Sequence, residues 1–125
     1  MQKTQFLHTS YCFVETHRQT IGWFVHEDRV EWQVAICHVD DQFVKATGRD
    51  LVTNKLVGSP FVITLAEIQA EYVLRMKGCE LIHPDVVEST VPQDLRIFAN
   101  GFIRDLVNKK AFDLFTRRKT FKTWR

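Results

Sequence analysis

The chain is poor in the residues that brace or break a fold, with 3 Cys, 3 Pro and 5 Gly in 125 residues. Cys12, Cys37 and Cys79 form an odd set at wide spacings without a C-x-x-C pair, which points to reduced thiols and away from a disulfide framework. Cys37 and His38 stand beside Asp40 and Asp41, but neighbouring strand residues face opposite ways and no second Cys/His pair follows at ligand spacing, so no metal site is expected. No apolar run approaches the roughly 20 residues that span a bilayer, and membrane insertion is not expected. Met1-Gln2-Lys3-Thr4-Gln5 has no apolar stretch of the signal-peptide kind, and with the unpaired thiols this leads to an expected cytoplasmic location. Low-complexity runs and internal repeats are missing too. So are G-x-S-x-G, the Walker A pattern, the dinucleotide-binding glycine pattern and H-E-x-x-H, and neither an enzymatic activity nor a cofactor is expected.

What the chain does have is apolar mass. Its composition is 45% hydrophobic with 10 Phe, enough to bury a core in a single domain over residues 1–125 and too little length for two ordinary domains. The formal net charge of +2 conceals an asymmetry: residues 1–103 carry 9 Lys/Arg against 13 Asp/Glu, and residues 104–125 carry 8 against 2. A basic end of this kind suits a helix C-terminus, where the helix dipole favours cations, and it also suits contact with nucleic-acid phosphates.

Periodicity divides the chain into a sheet over residues 1–39 and helices after it, an α+β architecture with an N-terminal antiparallel sheet of three to four strands followed by C-terminal helices. Residues 6–16 alternate with β-branched and aromatic enrichment, residues 20–26 form a second strand, and His26-Glu27-Asp28-Arg29 is a polar turn into a third. Both faces of that third strand are apolar, Trp32, Val34 and Ile36 on one and Ala35, Cys37 and Val39 on the other, which predicts a central strand or one covered by a partner. From Asp40-Asp41, a candidate N-cap pair, the period lengthens and predicts a first helix over 40–57 with Phe43, Val44, Thr47, Gly48 and Leu51 inward and Lys45, Arg49 and Thr53 outward. A short strand over 61–63 follows Gly58-Ser59-Pro60. Thr64-x-x-Glu67 has capping-box spacing for a second helix over 65–77, closed by Gly78 in a left-handed conformation. Thr90-x-x-Gln93 repeats the spacing and predicts a third helix over 91–118, interrupted near Asn108, with Leu95, Phe98, Phe102, Leu106, Phe112 and Phe115 along its apolar stripe. The apolar excess of the third strand and third helix suggests a homo-oligomer interface.

One stretch carries more information than its surroundings. Asp41 to Arg49 places Gly48 inside a helix, where glycine costs about 1 kcal/mol relative to alanine, so close packing or a ligand must offset it. Lys45 and Arg49 are neighbours at i,i+4, where like charges repel unless a carboxylate such as Asp41 or Asp50, or a bound anion, lies between them. Arg49 offers a planar fork that fits phosphate and stacks on a base.

The D-x-F-x-x-x-x-G-R pattern of Asp41, Phe43, Gly48 and Arg49, following a strand that ends in Ala35-Ile36-Cys37, resembles the phage-encoded anti-Thoeris sponge family. That resemblance implies a cytoplasmic homo-oligomer that sequesters cyclic nucleotide immune signals, such as cyclic ADP-ribose isomers or cyclic oligonucleotides, without degrading them. It implicates Phe43, Gly48 and Arg49 in ligand binding. Side-chain chemistry adds Lys45, Arg104, Asn100 and Arg29 as further candidates. The alternatives are a nucleic-acid-binding protein that uses Arg104–Arg125, and a protein–protein inhibitor that uses exposed aromatics.

Overall fold

The computed structural model describes residues 3–12, 16–37, 42–79 and 83–116. Strands β1 (Gln5–Cys12), β2 (Thr16–Val25) and β3 (Arg29–Cys37) run as an antiparallel meander. Helix α1 (Lys45–Gly58) then leads to the short strand β4 (Phe61–Thr64), which pairs antiparallel with β3 and completes a sheet of order β1-β2-β3-β4. Helix α2 (Leu65–Lys77), a single turn α3 (Pro84–Val87), 3₁₀ turns at Glu88–Thr90 and Leu95–Ile97, and helix α4 (Asn100–Thr116) follow. The expected α+β architecture is therefore present, with four strands before most of the helices.

Strand pairing decides which side chains share a face. Ile21 lies opposite Val34 and Trp23 opposite Trp32, and these residues with Val30, Ile36 and Ile63 point to the side covered by Ile68 of α2 and by Ile103, Leu106, Val107 and Ala111 of α4. On the other side Gly22 lies opposite Gln33 and Thr20 opposite Ala35, and α1 packs there against β2 and β3. The sheet is thus sandwiched, and both faces of β3 are buried by helices of its own chain. Of the apolar residues read as a homo-oligomer interface, Trp32, Val34, Ile36, Phe98, Ile103 and Leu106 are core within this chain. Glycine matters at one close approach: a Cβ on Gly22 would overlap Val52 Cγ1 and crowd Phe6, so the missing side chain lets α1 seat on β2.

Several boundaries differ from expectation. Helix α1 begins at Lys45 rather than near residue 40, because Val44 is extended (φ −123, ψ 118) and its carbonyl accepts the N–H of Gly48 at 3.1 Å; Asp40 and Asp41 lie outside the described residues. Its buried residues are Gly48 and Val52, whereas Val44 and Thr47 are exposed. Helix α2 spans the expected residues, and Thr64 Oγ1 accepts the N–H of Glu67 at 3.2 Å. The Glu67 carboxylate meets the Thr64 hydroxyl at 3.3 Å instead of reaching back to the backbone. Gly78 is right-handed (φ −80), so the expected left-handed exit is not used.

The third long helix starts at Asn100, not at residue 91. Thr90 donates to the Val87 carbonyl at 2.8 Å, and the Gln93 side chain donates to Val91, so the second T-x-x-Q spacing closes a turn rather than capping a helix. Pro92 restricts Val91 to extended backbone (φ −66, ψ 120), and Phe98 is extended as well (φ −63, ψ 143). Asp94 caps the intervening turn by accepting the Arg96 N–H at 2.8 Å. Helix α4 then runs unbroken past Asn108. The layers are tied at the β2–β3 turn, where the N–H groups of Leu65 and Leu95 donate to the carbonyls of Asp28 and Glu27.

Candidate functional site

On the α1 side of the sheet, at the end away from the β2–β3 turn, strand and helix residues converge on Phe43. Antiparallel pairing sets His8 of β1 opposite Thr20 of β2, and the His8 Nδ1 lies 2.8 Å from Thr20 Oγ1, which ties the imidazole to β2. Two residues earlier on β2, Arg18 points to the same face. Phe43, in the segment that enters α1, presents its ring edge-on to His8 with centroids 5.9 Å apart, and the Arg18 guanidinium stands over it at 5.4 Å. The first turns of α1 then add Lys45 and Arg49, both exposed, while Gly48 between them is buried.

The electrostatics of this corner are cationic. The His8 pKa is held below its ordinary value, first by burial and then by the positive charges of Lys45 and Arg49, which favours the neutral form of the ring. Among the described residues no ion pair joins a carboxylate to Arg18, Lys45 or Arg49. A ring, an imidazole with a hydroxyl neighbour and three cations make a surface that can stack a planar group and hold a negatively charged one.

Not all candidate residues meet here. Phe43, Lys45, Gly48 and Arg49 do. Arg104 lies on α4, across the sheet from α1, half exposed beside Asp105 at 3.5 Å, and cannot share a pocket with Arg49 in one chain. Arg29 sits at the β2–β3 turn, occupied by Asp28 at 2.9 Å and Glu31 at 3.1 Å, which raise its pKa. Asn100 opens α4 and lines a separate cavity of about 300 Å³ with Lys3, Gln5, Val25 and Phe98. Spacing along one helix had no means of showing that these residues diverge.

No protein-family model, characterised protein or solved structure matches the chain. The site is therefore read from its own chemistry. His8, Thr20 and Arg18 were missed by motif reading because they come from strands far upstream of α1. Their signal was present in the alternation: once the β1–β2 register is drawn, His8, Thr20 and Arg18 fall on the face that α1 covers.

Proposed function

We propose that the protein is a non-enzymatic binder that sequesters a small phosphorylated nucleotide at the Phe43 corner, and that the ligand is a cyclic nucleotide signal of the kind the D-x-F-x-x-x-x-G-R resemblance implies. The observation that carries this reading is Arg18 standing over the Phe43 ring with His8 edge-on to it, and Lys45 and Arg49 close enough to lower the His8 pKa. Phe43 and Arg18 supply two π faces for a base, and Lys45 and Arg49 supply charge for a diphosphate. In this reading the protein acts against a bacterial signalling defence by withholding the signal.

Isothermal titration with cyclic ADP-ribose isomers tests it, followed by heat release and mass spectrometry of the bound molecule. Binding at micromolar or tighter affinity with the ligand recovered intact is the expected result. Recovery of a hydrolysed product would show catalysis, and the absence of binding across cyclic mono- and oligonucleotides would remove the nucleotide reading. Arg49→Ala is expected to weaken binding at least tenfold, because losing a charge-assisted hydrogen bond costs about 1.5–3 kcal/mol. Its melting temperature should stay near that of the parent, since the Arg49 side chain is exposed and its carbonyl, which accepts from Thr53 at 2.8 Å, is retained in the variant.

A further inference from the structure

The two borders of the sheet are treated differently. At the β4 border the strand is only four residues long, and its pairing with β3 ends at Trp32. There the exposed groups of Val34 are closed by side chains: its N–H donates to Gln33 Oε1 at 3.1 Å and its carbonyl accepts from Lys55 Nζ at 2.8 Å. Short edge strands and a lysine on the edge are how proteins prevent strand-to-strand association.

The β1 border has none of these devices. Gln5–Cys12 is eight residues long, contains no Pro, Lys, Arg, Asp or Glu, and pairs in unbroken register with β2 from Gln5–Trp23 to Cys12–Thr16 without a bulge. Alternate residues of an edge strand point both backbone N–H and C=O away from the neighbouring strand. Among the described residues no backbone or side-chain group bonds those of β1 from outside. We infer that β1 is a self-association edge, and that two copies of this chain pair β1 to β1 in antiparallel fashion to form one continuous eight-stranded sheet.

The occupant is a second copy because the strand is complementary to itself. It has the matching length, it carries no charge that self-pairing would oppose, and a two-fold axis generates the antiparallel ladder automatically. Geometry restricts the register further. The axis must be perpendicular to the sheet, so each face continues into the same face of the copy and one residue of β1 pairs with itself. The two central solutions put either His8 or Thr9 on the axis. In both, the α1 layers of the two copies lie on one side of the joined sheet, so the two Phe43 corners, each including His8 of β1, flank the new seam. The pairing follows from the strand edge alone and does not depend on the ligand.

Light scattering on the full chain across micromolar to millimolar concentrations tests the inference, with twice the 14.7 kDa chain mass expected. Thr9→Pro and Ser10→Pro locate the interface, since one of these adjacent N–H groups is bonded to β2 and the other points outward. Proline at the inward position should lower the melting temperature. At the outward position it should leave the fold intact and give a monomer, because proline is tolerated on an edge where its missing N–H is not needed. Amide exchange on the parent protein supplies a second readout: alternate β1 amides should be protected at high concentration and lose protection on dilution. A monomeric parent at every concentration, a dimer that survives the outward proline, or β1 protection that ignores dilution would each overturn it.

Discussion

His8 ties the candidate site to measurable proton chemistry. Its pKa is lower in the folded chain than in the unfolded one, so the folded state binds fewer protons near the ordinary value of 6.5. The stability this contributes is present above about 6.5 and is lost as pH falls through the lower folded value. Melting curves between pH 4 and pH 8 should fall more steeply on the acid side for the parent than for His8→Gln. If an anion binds between Lys45 and Arg49, it removes part of the charge that holds His8 down, and the His8 pKa should rise on adding pyrophosphate, followed by the imidazole resonances in NMR. An unchanged titration would put the anion elsewhere. Asp94 behaves as an ordinary surface pair by comparison: hydrogen bonds from the Arg96 side chain and backbone draw it from 3.8 to about 2, so its effect is confined to that acid window.

Elements are placed by a few local contacts that can be removed singly. Thr64→Ala deletes the cap of α2 and should cost about 1 kcal/mol in urea unfolding, with little effect on ligand affinity, since α2 lies across the sheet from Phe43. Gly22→Ala should cost more, about 1–3 kcal/mol, because its Cβ overlaps Val52 and forces α1 off the sheet. It should also weaken ligand binding, because α1 carries Lys45 and Arg49. A Gly22→Ala protein with full affinity would show that the position of α1 does not control the site. The helix starts illustrate how much local chemistry depends on its neighbours. Thr64 and Thr90 have the same spacing to a Glu or Gln, yet only Thr64 caps a helix, since Pro92 imposes extended backbone on Val91.

At the scale of the whole molecule, salt dependence separates the two charge-based readings. A protein that binds nucleic acid through its basic end releases many counterions, and its affinity should collapse between about 50 and 200 mM salt. A corner with three cations holding two phosphates should show a shallow slope. Filter binding to DNA beside calorimetry with cyclic nucleotides, both over that salt range, makes the comparison; tight and steeply salt-dependent DNA binding would favour the nucleic-acid reading. Of the basic end, residues 117–125 lie outside the described residues, and within α4 Lys110 is engaged with Glu67 at 3.5 Å. No helix among the described residues is long and apolar enough to cross a membrane.

The amino-acid sequence by itself determined the meander, the span of α2 and the presence of a helix after β3, because alternation, a cap residue and a change of period are local properties that each segment carries alone. It also determined that Lys45 and Arg49 would stand together, since i,i+4 spacing on a helix is fixed by the backbone. Only the tertiary structure decided that α1 and α4 lie on opposite faces of the sheet, which separates Arg49 from Arg104 and joins Arg49 to His8 and Arg18 instead. It likewise decided that the apolar faces of β3 and α4 meet within one chain and that β1 forms a border of the sheet. Both depend on which strands pair and in what register. Those are long-range choices set by the joint burial of the whole core, and no window of the chain contains them.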